Sequence, residues 1–177
     1  LEAVPNIYQE LVGEAGEMVS LTVNEAPEMD DSRQVLVKPL KSEKSLYYHN
    51  WVQDNIDYVD SVTNGKVGYI HIPDMVQNGL NEFAEYFYPQ LRKEALIVDI
   101  RANGGGNVSP MLIERLRRER VLHQIPRNGQ PSPDPGDQLV GPKVCLMDQS
   151  TASDGDLFAY RFRAHELGPL IGHRTWG

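Results

Sequence analysis

Ala95-Leu96-Ile97-Val98-Asp99-Ile100-Arg101-Ala102-Asn103-Gly104-Gly105-Gly106-Asn107-Val108-Ser109-Pro110-Met111-Leu112-Ile113-Glu114-Arg115-Leu116 holds a strand, a turn and a helix in succession. Its first six residues are an apolar run, apart from Asp99, bounded by charge, the pattern of a parallel strand buried on both faces. Ser109 as N-cap, with Pro110 in the first turn, predicts a helix start. The glycines therefore occupy a strand-to-helix crossover, which points to the α/β class. Three consecutive glycines carry no Cβ, so backbone amides there can come close to a ligand or an oxyanion. A tight turn needing positive φ would use glycine too. Neither G-x-G-x-x-G nor G-x-x-x-x-G-K-[ST] is present, so the lysine and hydroxyl that hold phosphate and magnesium are missing.

A second strand-to-helix crossover follows. Lys143-Val144-Cys145-Leu146-Met147 reads as a short buried strand, and Asp148-Gln149-Ser150-Thr151-Ala152-Ser153-Asp154-Gly155-Asp156 leads into Leu157-Phe158-Ala159-Tyr160-Arg161-Phe162. A serine at such a turn is well placed as a nucleophile. The turn lifts its hydroxyl clear, and the free N–H groups of the helix face any negative charge formed there. Ser153 with Asp156 three residues on also has the form of a capping box, with Asp in place of Glu or Gln. Residues alone leave both readings standing.

Outward from these turns, strands are predicted near 66–72, 95–100, 143–148 and 169–174, alternating with helices near 79–91, 109–119 and 155–167. That alternation describes a layered α/β domain. His123 to Asp137, with Pro126, Pro131, Pro133 and Pro135, reads as an exposed excursion, either a variable loop or a wall of a cleft. Leu46 to Val59 is a linking helix with Trp51, Val52, Ile56 and Val59 as its apolar stripe. Before it, Pro5 to Val12 reads as a short helix, and residues 17–23 and 33–38 alternate as half-buried strands.

A net charge of −8 argues against a general polyanion binder, although Arg115, Arg117, Arg118 and Arg120 form a local basic face, read as solvated surface. Cys145 is the sole cysteine, so no intrachain disulfide can form, and its apolar strand marks it as a core residue. No apolar run approaches membrane-spanning length. His49, His71, His123, His165 and His173 show no H-E-x-x-H or paired Cys/His spacing, so no metal and no cofactor are expected. Ser153 as a nucleophile needs a base. His71 and His173 are the fallback candidates.

Asp99 to Asn107, Ser153-Asp154-Gly155-Asp156 and Ile171-Gly172-His173-Arg174-Thr175-Trp176-Gly177, with Lys66 to Met75 as the opening strand, resemble the tricorn-type branch of the tail-specific (C-terminal processing) serine peptidases. The resemblance covers nearly all of the chain. It implies a layered α/β core like that of the Clp protease and crotonase over residues 66–177. Residues 1–40 would be the closing half of a PDZ-like domain and 41–65 a linking helix. Ser153 would be the nucleophile. The N–H of Asp154 and that of Gly105 or Gly106 would hold the oxyanion. The family's base histidine with its neighbouring serine, and its final carboxylate, would lie outside this stretch, so a piece of a longer protein, inactive alone, is expected.

The same resemblance implies peptide or unfolded-protein substrates, no nucleic-acid partner, self-association of the longer protein, and a cytoplasmic peptide-trimming role with export as the alternative. Two other functions fit the residues. One is a crotonase-like lyase or hydratase, whose amides would stabilise a thioester enolate. The other is a noncatalytic module that captures a peptide terminus.

Overall fold

The structure is a computed structural model that describes residues 6–177. The chain divides into two compact units, Leu1–Asn50 and Trp51–Gly177. Pro5, where the first helix is expected to begin, lies outside the described residues.

In the first unit, the helix α1 (Ile7–Glu10) is opened by Asn6, whose side chain accepts the N–H of Tyr8 at 3.0 Å. The strands β1 (Val19–Val23) and β2 (Arg33–Val37) pair antiparallel, with Val19 opposite Val37. The alternation in sequence is the alternation in burial: Val19, Leu21 and Val23 are half-buried while Ser20 and Thr22 are exposed. The helix α2 (Lys44–Thr63) crosses the boundary between the units and runs beyond the expected 46–59 at both ends. Val52 and Val59 of its apolar stripe are buried, whereas Trp51 remains 39% exposed.

The second unit continues with β3 (Val67–His71), α3 (Gln77–Phe87), β4 (Ala95–Asp99), α4 (Ser109–Leu116), β5 (Leu122–Gln124), β6 (Ser132–Asp134), β7 (Lys143–Met147), α5 (Asp154–Ala164) and β8 (Leu170–Gly172). Four strands form one sheet in the order β3-β4-β7-β8, all parallel. The core gathers Ile70, Leu96, Val98 and Cys145 from the sheet with Phe83, Phe87, Phe158 and Phe162 from the helices. Phe87, Phe158 and Phe162 have no exposed surface, and burying each such side chain contributes about 1.5–3 kcal/mol. Burial pushes the Cys145 thiol well above its ordinary range, in keeping with a core residue.

The outer edge of β3 is closed by a side chain. Gln90 Oε1 accepts the N–H of Tyr69 at 2.8 Å and its Nε2 donates to the Tyr69 carbonyl at 2.8 Å. The outward N–H and C=O of one edge-strand residue are thereby satisfied.

Of three further expectations, two are corrected. Residues 123–137 are not a plain loop: β5 and β6 pair antiparallel, with Leu122 opposite Asp134 and Pro133 opposite His123. A two-stranded ribbon has an open edge on each strand, where proline is tolerated. The basic face is solvent-exposed at Arg117, Arg118 and Arg120 as expected, with Arg115 and Arg118 both meeting Asp137 and Arg117 meeting Glu114. Val108, not Ser109, occupies the N-cap of α4.

This topology positions the site. Parallel strands all run the same way, so the segments that leave β4 and β7 emerge at the same end of the sheet. Because β4 and β7 are hydrogen-bonded neighbours, the glycine turn and the Ser153 turn are adjacent.

Candidate active site

The turn after β7 is organised by Asp148. Its Oδ1 accepts the N–H groups of Ser150 at 3.0 Å, Thr151 at 3.1 Å and, from the glycine turn, Ala102 at 3.0 Å. Burial raises the pKa of this carboxyl, but the N–H donors prevail and hold it below the usual carboxylate range. The Thr151 hydroxyl donates to the Ile100 carbonyl at 2.7 Å, a second tie to the end of β4.

Ser153 sits at the N-cap of α5 with φ 57° and ψ −120°. A residue with a Cβ held there carries strain of about 1–3 kcal/mol, which the surrounding bonds must maintain. Its side chain makes no capping bond, it is exposed, and among the described residues no group hydrogen-bonds its hydroxyl. The capping-box reading therefore fails. The carboxylate of Asp156 accepts the N–H of Gly177 at 2.9 Å instead.

The three glycines are not equivalent. A Cβ on Gly104 would meet nothing within 4 Å, and its N–H donates to the Pro73 carbonyl at 3.0 Å. Gly105, at φ 81°, lies against the serine: a Cβ there would stand 2.6 Å from Ser153 Cβ and 3.1 Å from its Oγ. Gly106, at φ 149°, crosses the Met75 carbonyl so closely that a Cβ would lie 2.0 Å from that oxygen. Close backbone approach thus requires two of the three.

Their amides differ as well. Asn103 Oδ1 accepts the N–H of Gly105 at 2.8 Å. No described residue accepts the N–H of Gly106 or that of Asp154, the first residue of α5. The next two amides of α5 are engaged, Gly155 with the Ala152 carbonyl at 2.9 Å and Asp156 with that of Ser153 at 3.0 Å.

Two side chains to which the sequence reading assigned no role hold these parts in register. Asn103 is fully buried; its Nδ2 donates to the Ile72 carbonyl at 2.8 Å, and its own carbonyl accepts the N–H of Ala152 at 3.0 Å. The carboxylate of Asp154, 5% exposed, reaches across to the first residue of α4, accepting Ser109 N–H at 2.9 Å and its hydroxyl at 2.6 Å. Arg161 supports this pair, 3.3 Å from Asp154 Oδ1. The helix after the glycine turn is thus capped by the residue that follows Ser153. An Asn before a glycine run, and an Asp after a candidate serine, are legible only as turn residues until the two turns are known to be neighbours.

The fourth motif also comes to this end of the sheet. Trp176 N–H donates to the Thr151 carbonyl at 2.9 Å, which runs residues 173–177 along the Ser153 turn. The histidines do not join them. His71 is buried, its Nε2 3.0 Å from the Arg101 carbonyl and its ring edge-on to Trp51 at 4.8 Å. Burial holds its imidazole below the ordinary range. His49, His123, His165 and His173 are exposed. No three His, Cys, Asp or Glu side chains among the described residues are grouped to hold a metal ion. No described helix is long and apolar enough to cross a membrane.

The chain resembles known proteins over nearly all of its length. The chain is 40% identical over 173 residues to the tricorn protease of Thermoplasma volcanium, covering 97% of itself and 16% of that protein. It is 42% identical over 178 residues to the tricorn protease homolog of Saccharolobus solfataricus, covering 99% of itself and 16% of that protein. The crystal structure of the tricorn protease superposes with a TM-score of 0.87 at 39% identity, over 97% of this chain and 17% of that one. The chain therefore spans about a sixth of the length of the relatives it matches. Residues 66–177, which hold both turns and the T-W-G motif, match Peptidase family S41, and the chain belongs to that family.

Proposed function

We propose that Ser153 is the nucleophile of a serine peptidase site whose oxyanion is held by the N–H groups of Gly106 and Asp154. The observation that carries this reading is the strained, exposed Ser153, its hydroxyl unbonded and packed against Gly105. A helix cap would be an engaged side chain on relaxed backbone. Gly105 is set aside as a donor because Asn103 already takes its N–H.

In this site the Ser153 oxygen adds to the scissile carbonyl carbon as a base removes its proton. Negative charge collects on the carbonyl oxygen, where the two amides stabilise it. The C–N bond then breaks, the amine leaves with a proton, and water hydrolyses the acyl-serine. With the Ser153 hydroxyl unpaired and His71 bonded to the Arg101 carbonyl, the base is assigned to a histidine of the longer protein. The final carboxylate is assigned there too.

Within that protein residues 66–177 are the catalytic core, 41–65 a linking helix and 1–40 the closing half of a PDZ-like domain. Peptides or unfolded chains are the substrates. A cytoplasmic trimming role and a homo-oligomeric assembly accompany this reading.

Ser153→Gly in the full-length protein tests it. Glycine relieves the positive φ, so amide exchange of residues 150–157 should slow by the equivalent of about 1 kcal/mol. Peptide hydrolysis should fall by ~10⁴ or more. Retained hydrolysis would remove Ser153 from the mechanism.

A further inference from the structure

Gln138 is 5% exposed, and neither its Oε1 nor its Nε2 has a hydrogen-bond partner. A buried amide with both ends unmet is uncommon and calls for an explanation. Gln90 shows what this chain does with a satisfied one: its two ends pair with the backbone N–H and C=O of a single residue, Tyr69.

Gln138 lines a cavity of about 680 Å³ formed with Tyr88, Pro89, Leu91, Arg92, Arg120 and the β5–β6 hairpin. The two arginines make no ion pair with any described residue. Arg115, Arg117 and Arg118 all find carboxylates, whereas Arg92 and Arg120 bring two unmatched guanidinium groups to the cavity that holds the orphaned amide. Planar guanidinium forks match carboxylate or phosphate oxygens. The orphaned primary amide matches a group offering one N–H donor and one carbonyl acceptor. Tyr88, Pro89 and Leu91 supply an apolar wall beside them.

We infer that this cavity is a binding site for a carboxylate that lies next to a peptide group, the chemistry of an N-acyl amino acid or of the last residue of a peptide. Arg92 and Arg120 take the carboxylate and Gln138 pairs with the adjoining amide. No residue of the Ser153 site lines the cavity, so the inference stands apart from the proposed reaction.

The test uses the full-length protein carrying Ser153→Ala, so that no turnover enters. N-acetyl-Ala-Gly is titrated by calorimetry, with its C-terminal amide and inorganic phosphate as controls, and amide exchange of residues 132–140 is followed. The expected result is binding that protects residues 132–140 and weakens about tenfold or more on C-terminal amidation, in Arg92→Ser/Arg120→Ser and in Gln138→Leu. Both arginines are exposed, so the double variant leaves the fold intact. Lack of binding, or binding unchanged in the arginine variant, would overturn the site. Phosphate binding as tightly as the peptide would overturn the role given to Gln138.

Discussion

The turn after β4 and the turn after β7 build one arrangement by opposite means. The glycine turn contributes by lacking side chains: Gly105 and Gly106 let backbone pass where a Cβ would stand 2.6 Å from Ser153 Cβ or 2.0 Å from the Met75 oxygen. The Ser153 turn contributes by forcing a side chain onto backbone that disfavours it, at φ 57°. What joins them is a set of polar bonds, an exposed one between Asp148 and Ala102, one between Asn103 and Ala152, and a buried one between Asp154 and Ser109. Among the described residues, the amides of Gly106, Gln149, Ser153 and Asp154 in the two turns have no acceptor, and the others are engaged. The strain and the open donors together are what the proposed role of Ser153 rests on.

The largest test of that contrast lies within the glycine turn. Gly106→Ala should lower kcat for peptide hydrolysis by the full-length protein by about 10²–10³, the scale of a lost oxyanion donor. Gly104→Ala, whose Cβ would enter open space, should stay within about twofold. Equal effects at the two positions would mean that the turn acts only as a flexible linker.

Asn103→Ala comes next. It frees the Gly105 N–H and removes the bond to the Ile72 carbonyl, so the loop loses its register. We expect kcat to drop about tenfold or more with KM little changed, as for a group that orients a transition-state donor. A change confined to KM would place Asn103 in substrate binding instead.

The smallest effect concerns pH. His71 keeps its imidazole below the ordinary value because it is buried. The unfolded chain takes up this proton at about pH 6.5, while folded His71 resists it. The stability linked to this group is therefore complete above that value and is lost as pH falls through the lower folded value. Amide exchange across residues 67–71, corrected for intrinsic rate, should show β3 loosening between pH 7 and 5. A flat profile would mean that His71 is accommodated equally well when charged.

Much of this was legible in sequence because it rests on local pattern. The apolar runs at 95–100 and 143–147 sit in adjacent parallel strands, as continuous hydrophobic runs between helices imply. The motif around Ser153 located its turn. What could not be read locally was distant in sequence: Asp154 caps a helix that starts 45 residues earlier, and Asp148 ties down an amide 46 residues away. The local rule that assigned Ser109 to cap its own helix was overridden by that contact. The Ser153–Asp156 box failed because helix propensity carries no information about strain that a neighbouring loop imposes. The pairing of β5 with β6 was hidden by four prolines, whose local signal is that of a loop.

The most direct measurement treats the full-length protein with a fluorophosphonate, which reacts only with an activated serine beside an oxyanion site, and maps the adduct by mass spectrometry. The account predicts a single stoichiometric adduct on Ser153, absent in Ser153→Ala and strongly slowed in Gly106→Ala. An active peptidase labelled at another residue, with Ser153 unmodified, would contradict it.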